Sequence, residues 1–223
     1  MKSSILACIV NHNFNENARK LRVLFSNDFE TIVLDSGSNK KDPSFILMDN
    51  VFYSGLFNRA VEETRSRNKE WLFFICSDVV VEDEEYCKIS KRMESRELFE
   101  NIGVYSPSSF GRSHDFCKNK ETQSLRDVPM IEGFVFMARL NLLERMYPVD
   151  LSINKIGWGL DAMKGYLCYQ SGKRCVIDDF IKVYHPLEAG YGYEDAINQM
   201  KKYIESREPD FKNYIINKIG FGI

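Results

Sequence analysis

Several apolar runs in this chain stop abruptly at polar side chains able to hold a cation or move a proton. Trp71-Leu72-Phe73-Phe74-Ile75-Cys76 runs into Ser77-Asp78, and Ile5 to Val10 runs into Asn11-His12-Asn13. Thr31 to Leu34 stops at Asp35-Ser36, and Ile181 to Tyr184 at His185. Magnesium and manganese take oxygen ligands, and manganese also accepts imidazole. A cation held by Asp78 and His185 keeps open positions for phosphate oxygens, and it neutralises charge building on a departing diphosphate. Asp161 stands differently, in the first turn of a helix behind Gly157-Trp158-Gly159. An ionised carboxylate there can accept a proton from an attacking hydroxyl.

Each of these residues also has a plainer reading. Asp35-Ser36-Gly37-Ser38 is good turn chemistry, and Asp161 suits a helix start on dipole grounds alone. Glu82 to Glu85 is an acidic first turn for the same reason. His185 precedes Pro186 and reads as a loop residue, Arg59 as a solvated helix residue and Trp158 as core. What points to chemistry is the order of these positions along the chain.

The elements that carry them follow from hydrophobic pattern. An unbroken apolar run of strand length is a strand buried on both faces, the usual state in a parallel sheet covered by helices. In open α/β sheets the ligand sits outside the carboxyl ends of the strands, where Asn11, Asp35 and Asp78 fall. Asn15 caps a helix striped by Ala18, Leu21, Leu24 and Phe25. Val51 to Tyr53 is expected as a short strand, and Gly55 as the opening of a helix with Phe57, Ala60, Val61 and Thr64 on one face. Strands alternating with helices in this way imply right-handed βαβ units and a parallel sheet. Beyond Ser106 the order is less regular. Met130 to Ala138, Cys175 to Ile177 and Ile181 to Tyr184 have strand character. Leu160, Met163 and Leu167 stripe a helix that Gly172 ends, and Asp195 to Ile204 and Pro209 to Ile219 are helical. The polar stretch Pro107 to Val128 is expected as a long loop, of the kind that forms lids. The expectation is one α/β domain over 1–223, with a nucleotide-binding half to about 106 and an acceptor half from about 107.

Bulk properties narrow the classes. The chain has 223 residues and a formal net charge of −2, without the basic excess of a nucleic-acid binder. No apolar run reaches membrane-spanning length, and the first residues show no signal-peptide pattern. Six cysteines occur without a Cys-x-x-Cys pair, which fits a reducing, cytoplasmic setting and no zinc site. Neither Gly-x-x-x-x-Gly-Lys-Ser/Thr nor Gly-x-Gly-x-x-Gly follows the first strand, and there is no Gly-x-Ser-x-Gly elbow.

Taken together, these segments resemble a GT-A-fold, family-2-type glycosyltransferase over about residues 5 to 190. Asn11-His12-Asn13 resembles that family's first nucleotide-contacting loop. Leu34-Asp35-Ser36-Gly37-Ser38 resembles its Val-Asp-Asp-Gly-Ser segment, whose aspartate contacts the base, commonly uracil. Gly55 to Ala60 is similar to the Gly-rich helix start that follows, and Phe73 to Val79 to the strand leading into the metal-binding Asp-x-Asp. Gly157 to Asp161 resembles the Trp-Gly-Glu-Asp that supplies the base, and Tyr184-His185 the closing histidine. The resemblance implies a central, mostly parallel sheet flanked by helices and a hexosyltransferase type of enzyme. It implies Mn2+ or Mg2+ on Asp78 and His185, and a nucleotide-diphosphate sugar donor, a uridine one first, touched by Asn11, His12, Asn13, Asp35, Ser36, Gly55, Arg59, Ser77 and Asp78. Asp161 becomes the base, with inversion, and Glu132 and Trp158 contact a glycan or other hydroxyl acceptor. Two departures stand out. Cys76-Ser77-Asp78 keeps one carboxylate of the Asp-x-Asp, and Leu160-Asp161 keeps one of the Glu-Asp pair, with Glu132 as the alternative base. The rival readings are a nucleotidyltransferase, which normally has a Gly-rich basic loop absent from Asn11 to Asn17, and a non-catalytic nucleotide- or sugar-binding domain of a larger assembly.

Overall fold

The computed structural model describes residues 1–111, 113–186 and 192–221. Its strands are β1 (Ile5–Asn11), β2 (Glu30–Ser36), β3 (Ile46–Met48), β4 (Trp71–Cys76), β5 (Ile102–Gly111), β6 (Leu125–Asp127), β7 (Val135–Arg139) and β8 (Arg174–His185). They form an eight-stranded sheet in the order β3-β2-β1-β4-β7-β5-β8-β6. The first half is parallel: β1 pairs with β2 and β4, and β2 with β3. β7 is inserted antiparallel to both β4 and β5, β5 and β8 are parallel, and β6 closes the edge antiparallel to β8. The helices are α1 (Asn15–Phe25), α2 (Phe52–Ser66), α3 (Asp83–Arg92), α4 (Leu140–Leu143), α5 (Leu160–Gln170), α6 (Tyr193–Glu205) and α7 (Pro209–Tyr214).

The apolar run of β4 serves two cores, because successive strand residues point to opposite faces. Leu72 and Phe74 join the layer built with α2, α4, α5, α6 and α7, while Trp71, Phe73 and Ile75 join the one under α1 and α3. Phe74 stacks on Phe136 of β7 at 5.2 Å and 16°, which fixes the antiparallel insertion beside the central strand. Burying one such side chain contributes roughly 1.5–3 kcal/mol.

Four expectations are corrected. Val51 to Tyr53 is not a strand: the strand lies earlier, at β3, and α2 already begins at Phe52. Gly55 therefore lies inside α2 rather than at its opening, buried where an added Cβ would sit 2.4 Å from Val51 Cβ. The stretch Pro107 to Val128 is no free lid. β5 continues through it to Gly111, β6 lies near its end, and Arg112 falls outside the described residues. Asn119 Nδ2 donates to Ser108 Oγ and to the Asp179 carbonyl, both at 2.7 Å. Asp179, fully buried, accepts from Arg126 Nε at 3.0 Å and Thr122 Oγ1 at 2.8 Å.

Cys175 to Ile177 and Ile181 to Tyr184 are one strand, β8, with a register shift between them. At that break Asp178 turns into the core, where it accepts from Arg92 Nε at 2.7 Å and Tyr105 Oη at 2.9 Å. Polar residues there look like a strand end in sequence, but buried partners carry them through the sheet.

Candidate active site

The carboxyl ends of β1, β2 and β4 are tied together by one polar network. Asn11 Nδ2 donates to Asp35 Oδ2 at 2.6 Å, Asn15 Oδ1 at 2.7 Å and Ser38 Oγ at 3.1 Å. Asn11 Oδ1 accepts from Ser77 Oγ at 2.8 Å and from the Phe14 N–H at 3.1 Å. Asp35 also accepts from the Ser38 N–H at 2.9 Å and Ser38 Oγ at 2.6 Å. Asn11 and Asp35 are both buried, so burial without these bonds would be costly. As placed, these groups shape the loops. His12 lies over the Ser36 carbonyl through Nδ1 at 2.6 Å. Asn13, in the left-handed region at φ 67, accepts from the Asn39 N–H at 2.8 Å. Ser36 Oγ accepts from the Val51 N–H at 3.0 Å. Beside this network a pocket of about 240 Å³ is lined by Asp35, Gly37, Ser38, Lys41, Met48 and Asp49, among others.

Asp78 follows β4, and its backbone is held from both sides. Asn17 Nδ2 of α1 donates to the Ser77 carbonyl at 2.7 Å and the Val79 carbonyl at 2.8 Å. Val80 and Tyr184 then exchange two backbone hydrogen bonds, 2.8 and 3.1 Å, in an antiparallel bridge. That bridge is why residues so far apart in sequence meet: Asp78 Oδ2 lies 3.3 Å from His185 Nε2. The imidazole is stacked on Phe134 at 4.4 Å and 7°. The other oxygen, Asp78 Oδ1, is buried without a hydrogen-bond partner among the described residues. A buried unsatisfied acceptor costs roughly 1–3 kcal/mol, and such a group calls for an explanation, a missing ion among them. A carboxylate oxygen without a donor, with an imidazole nitrogen on the other oxygen, is a donor set that fits a Mn2+- or Mg2+-type cation. Among the described residues no group of three or more His, Cys, Asp or Glu gathers as a metal-holding set.

The residues expected on the acceptor side lie on three loops. Asn154, fully buried, accepts from the Gly157 N–H and donates to the Trp158 carbonyl, both at 2.8 Å. This holds Gly157 and Gly159 at φ +93 and +92, conformations that glycine adopts without strain. The Lys155 and Ile156 N–H groups donate to Gln199 Oε1 of α6 at 2.9 and 3.2 Å. Trp158 meets Tyr193 edge-on at 5.5 Å. α5 begins immediately after, and Asp161 stands in its first turn. Asp161 keeps 24% of its side chain accessible, yet the surrounding protein pushes its carboxyl above the ordinary range, against the pull of the Lys164 ammonium 3.0 Å away. Glu132 is raised for the same first reason, burial, with the Asp161 charge adding to it. Glu132 Oε2 accepts from Ser113 Oγ and from the His114 N–H, the latter at 2.8 Å. It thereby latches the strand-end loop of β5 to the cleft.

Sequence reasoning missed the residue that joins these loops. Tyr53, in the first turn of α2, donates from its hydroxyl to the Gly133 carbonyl at 3.0 Å. A Cβ on Gly133 would lie 2.2 Å from Tyr53 Oη, and one on Gly157 would lie 2.2 Å from Tyr53 Cδ1. Both glycines are required by the same ring. The flanking Ser54 N–H donates to the Lys155 carbonyl at 3.0 Å. No sequence signal marks Tyr53, since its role depends on two distant glycines. Arg59 is not drawn into this cluster by its ionic contacts: its guanidinium pairs with Glu63 at 2.5 Å and Glu62 at 3.7 Å, both on its own helix.

This architecture is the GT-A fold, a mixed sheet flanked by helices with a polar mouth at the ends of β1, β2 and β4. The chain is similar in structure to GalNAc-T7, solved with UDP, GalNAc and Mn2+, at a TM-score of 0.67 and 12% identity over 95% of this chain and 49% of that one. It is also similar to the mannosyltransferase PcManGT of Pyrobaculum calidifontis, solved with GDP-Man and Mn2+, at a TM-score of 0.58 and 14% identity over 96% and 68%. The chain thus spans about half the length of GalNAc-T7. No protein-family model and no curated protein matches it in sequence.

Proposed function

We propose that this chain is a metal-dependent glycosyltransferase that moves a sugar from a nucleotide-diphosphate donor, a UDP-sugar first, to a hydroxyl of a glycan or other acceptor, with inversion. The observation that carries this reading is Asp78: one oxygen buried without a partner, the other 3.3 Å from His185 Nε2, at the mouth of the sheet. The two structural neighbours, one with UDP and one with GDP-mannose and both with Mn2+, support the donor class and the cation.

Asp78 and His185 would hold Mn2+ or Mg2+, which when bound supplies positive charge to the donor's diphosphate as the sugar leaves. The chain's own residues do the rest. The Asn11–Asp35–Ser38 network presents a preformed pocket for the base and ribose beside Met48 and Lys41. Ser77, hydrogen-bonded to Asn11, links that pocket to the cation site. Trp158 would contact the acceptor sugar. Asp161 Oδ2 takes no hydrogen bond among the described residues; it receives the proton of the acceptor hydroxyl as that oxygen attacks the anomeric carbon. Burial raises its carboxyl, which makes its carboxylate form a stronger base. A single displacement on one face of the sugar gives inversion.

The test is donor turnover. Wild-type protein with Mn2+ should release sugar from UDP-sugars in water and transfer it to a suitable hydroxyl with inverted configuration, read by proton NMR. Metal-dependent nucleotide binding without any sugar release would return the chain to a binding module.

A further inference from the structure

We propose that Lys164 is a positioning residue for Asp161: its buried ammonium grips Oδ1, fixes the carboxylate in one orientation, and leaves Oδ2 to meet the acceptor hydroxyl. The inference rests on the reading of Asp161 as the proton acceptor. Lys164 lies one turn into α5 with 2% of its surface exposed. A lysine so deep in an apolar layer is unusual unless it is paired. Its ammonium has one hydrogen-bond partner among the described side chains, Asp161 Oδ1 at 3.0 Å. Its remaining stabilisation is aromatic: Nζ stands 4.0 Å over the Phe136 ring, and that ring is locked by stacking on Phe74. The cation is therefore anchored by the core of the sheet rather than by solvent, and it cannot follow a wandering carboxylate.

The neighbours sharpen the assignment. Among the described residues, the charged or titratable groups that act on the pair are Glu132, His114 and the thiols of Cys76, Cys117 and Cys175. Burial raises the Cys117 thiol, and the Cys168 hydrogen bond followed by burial raises that of Cys175, so these two bring no competing anion to Lys164. Burial raises Asp161 and Lys164 opposes that rise. The lysine thus favours the ionised carboxylate while holding its geometry. A surface salt bridge at this helical spacing would be worth little; with one partner fully buried, the orientation is enforced by the fold.

The experiment uses Lys164→Met and Lys164→Gln in the full chain. Met fits the stem's apolar surroundings, and Gln keeps donors without charge. The Asp161 carboxyl is followed by 13C NMR titration of the ligand-free protein, alongside the pH profile of transfer. Both variants should move the Asp161 midpoint and the acid limb of kcat upward together. The donor KM should stay unchanged, and the Met variant should lose more of kcat than the Gln variant. Lys164→Met added to Asp161→Asn should cost no further activity, since the lysine acts through that carboxylate. An unmoved midpoint in a folded variant, or an additive loss in the double variant, overturns the proposal. A midpoint moved in the variants, with a wild-type protein that shows no transfer, would leave the pair standing and refute the reading of the site instead.

Discussion

Two mouths of the same sheet handle polar groups in opposite ways. At the ends of β1 and β2, Asn11 and Asp35 have donors and acceptors matched inside the chain, both oxygens of the aspartate included. At the ends of β4 and β8, Asp78 keeps a buried oxygen without a partner, and nearby Glu132 and Asp161 are pushed up by burial. The first region has spent its polar groups on shape. The second holds unrelieved electrostatic cost, which is where a ligand of opposite charge gains most. Stability should therefore reside in the first region and chemistry in the second.

Substitutions in the two regions should separate accordingly. The largest effect is expected from Asp161→Asn, which should lower transfer by about 10²–10⁴-fold, the usual worth of a positioned base, with donor affinity retained by calorimetry. A variant that still turns over freely removes Asp161 from the mechanism. Next comes Asp35→Ala, which strands two Ser38 donors and takes one of three acceptors from the Asn11 amide. It should cost roughly 3 kcal/mol of stability in urea unfolding, at 1–3 kcal/mol per buried group left unpaired. An unchanged midpoint would erase the contrast. Asp78→Asn in metal-free protein should do the opposite, leaving stability unchanged or raising it by about 1 kcal/mol, since it removes a charge whose buried oxygen has no donor.

The smallest effect concerns Glu132→Gln and pH. The Glu132 carboxyl is raised in the folded chain, so the folded state binds its proton more tightly than the unfolded one. Its contribution to stability is full below the unfolded carboxyl range, about pH 4, and is lost as pH rises through the folded value. The melting-temperature difference, Gln variant minus wild type, should grow as pH rises across that window. A constant difference would mean that burial is not what perturbs this residue.

The contrast also explains what the sequence disclosed. β1, β2 and β4 were legible because burial writes apolar runs, and their ends placed Asn11, Asp35 and Asp78. The place of Asp161 in a helix's first turn was legible from Gly157-Trp158-Gly159, since the glycines mark backbone that other residues avoid. The antiparallel insertion of β7, the passage of β8 through Asp178 and Asp179, and the clamp of Tyr53 on Gly133 and Gly157 were not. Each depends on partners tens of residues away, which local pattern does not encode. Asn17 belongs with these: it fixes Asp78 through two carbonyls across 60 and 62 positions, and looks in sequence like any helix-start asparagine.

The central claim is that Asp78 and His185 form a cation site that recruits a nucleotide diphosphate. It is tested most directly by titrating UDP into wild-type, Asp78→Ala and His185→Ala protein by calorimetry, with and without Mn2+. Wild-type binding should need Mn2+, and the Asp78 variant should lose the metal-dependent part while remaining folded. Equal UDP affinity in all three proteins, indifferent to Mn2+, would contradict the account.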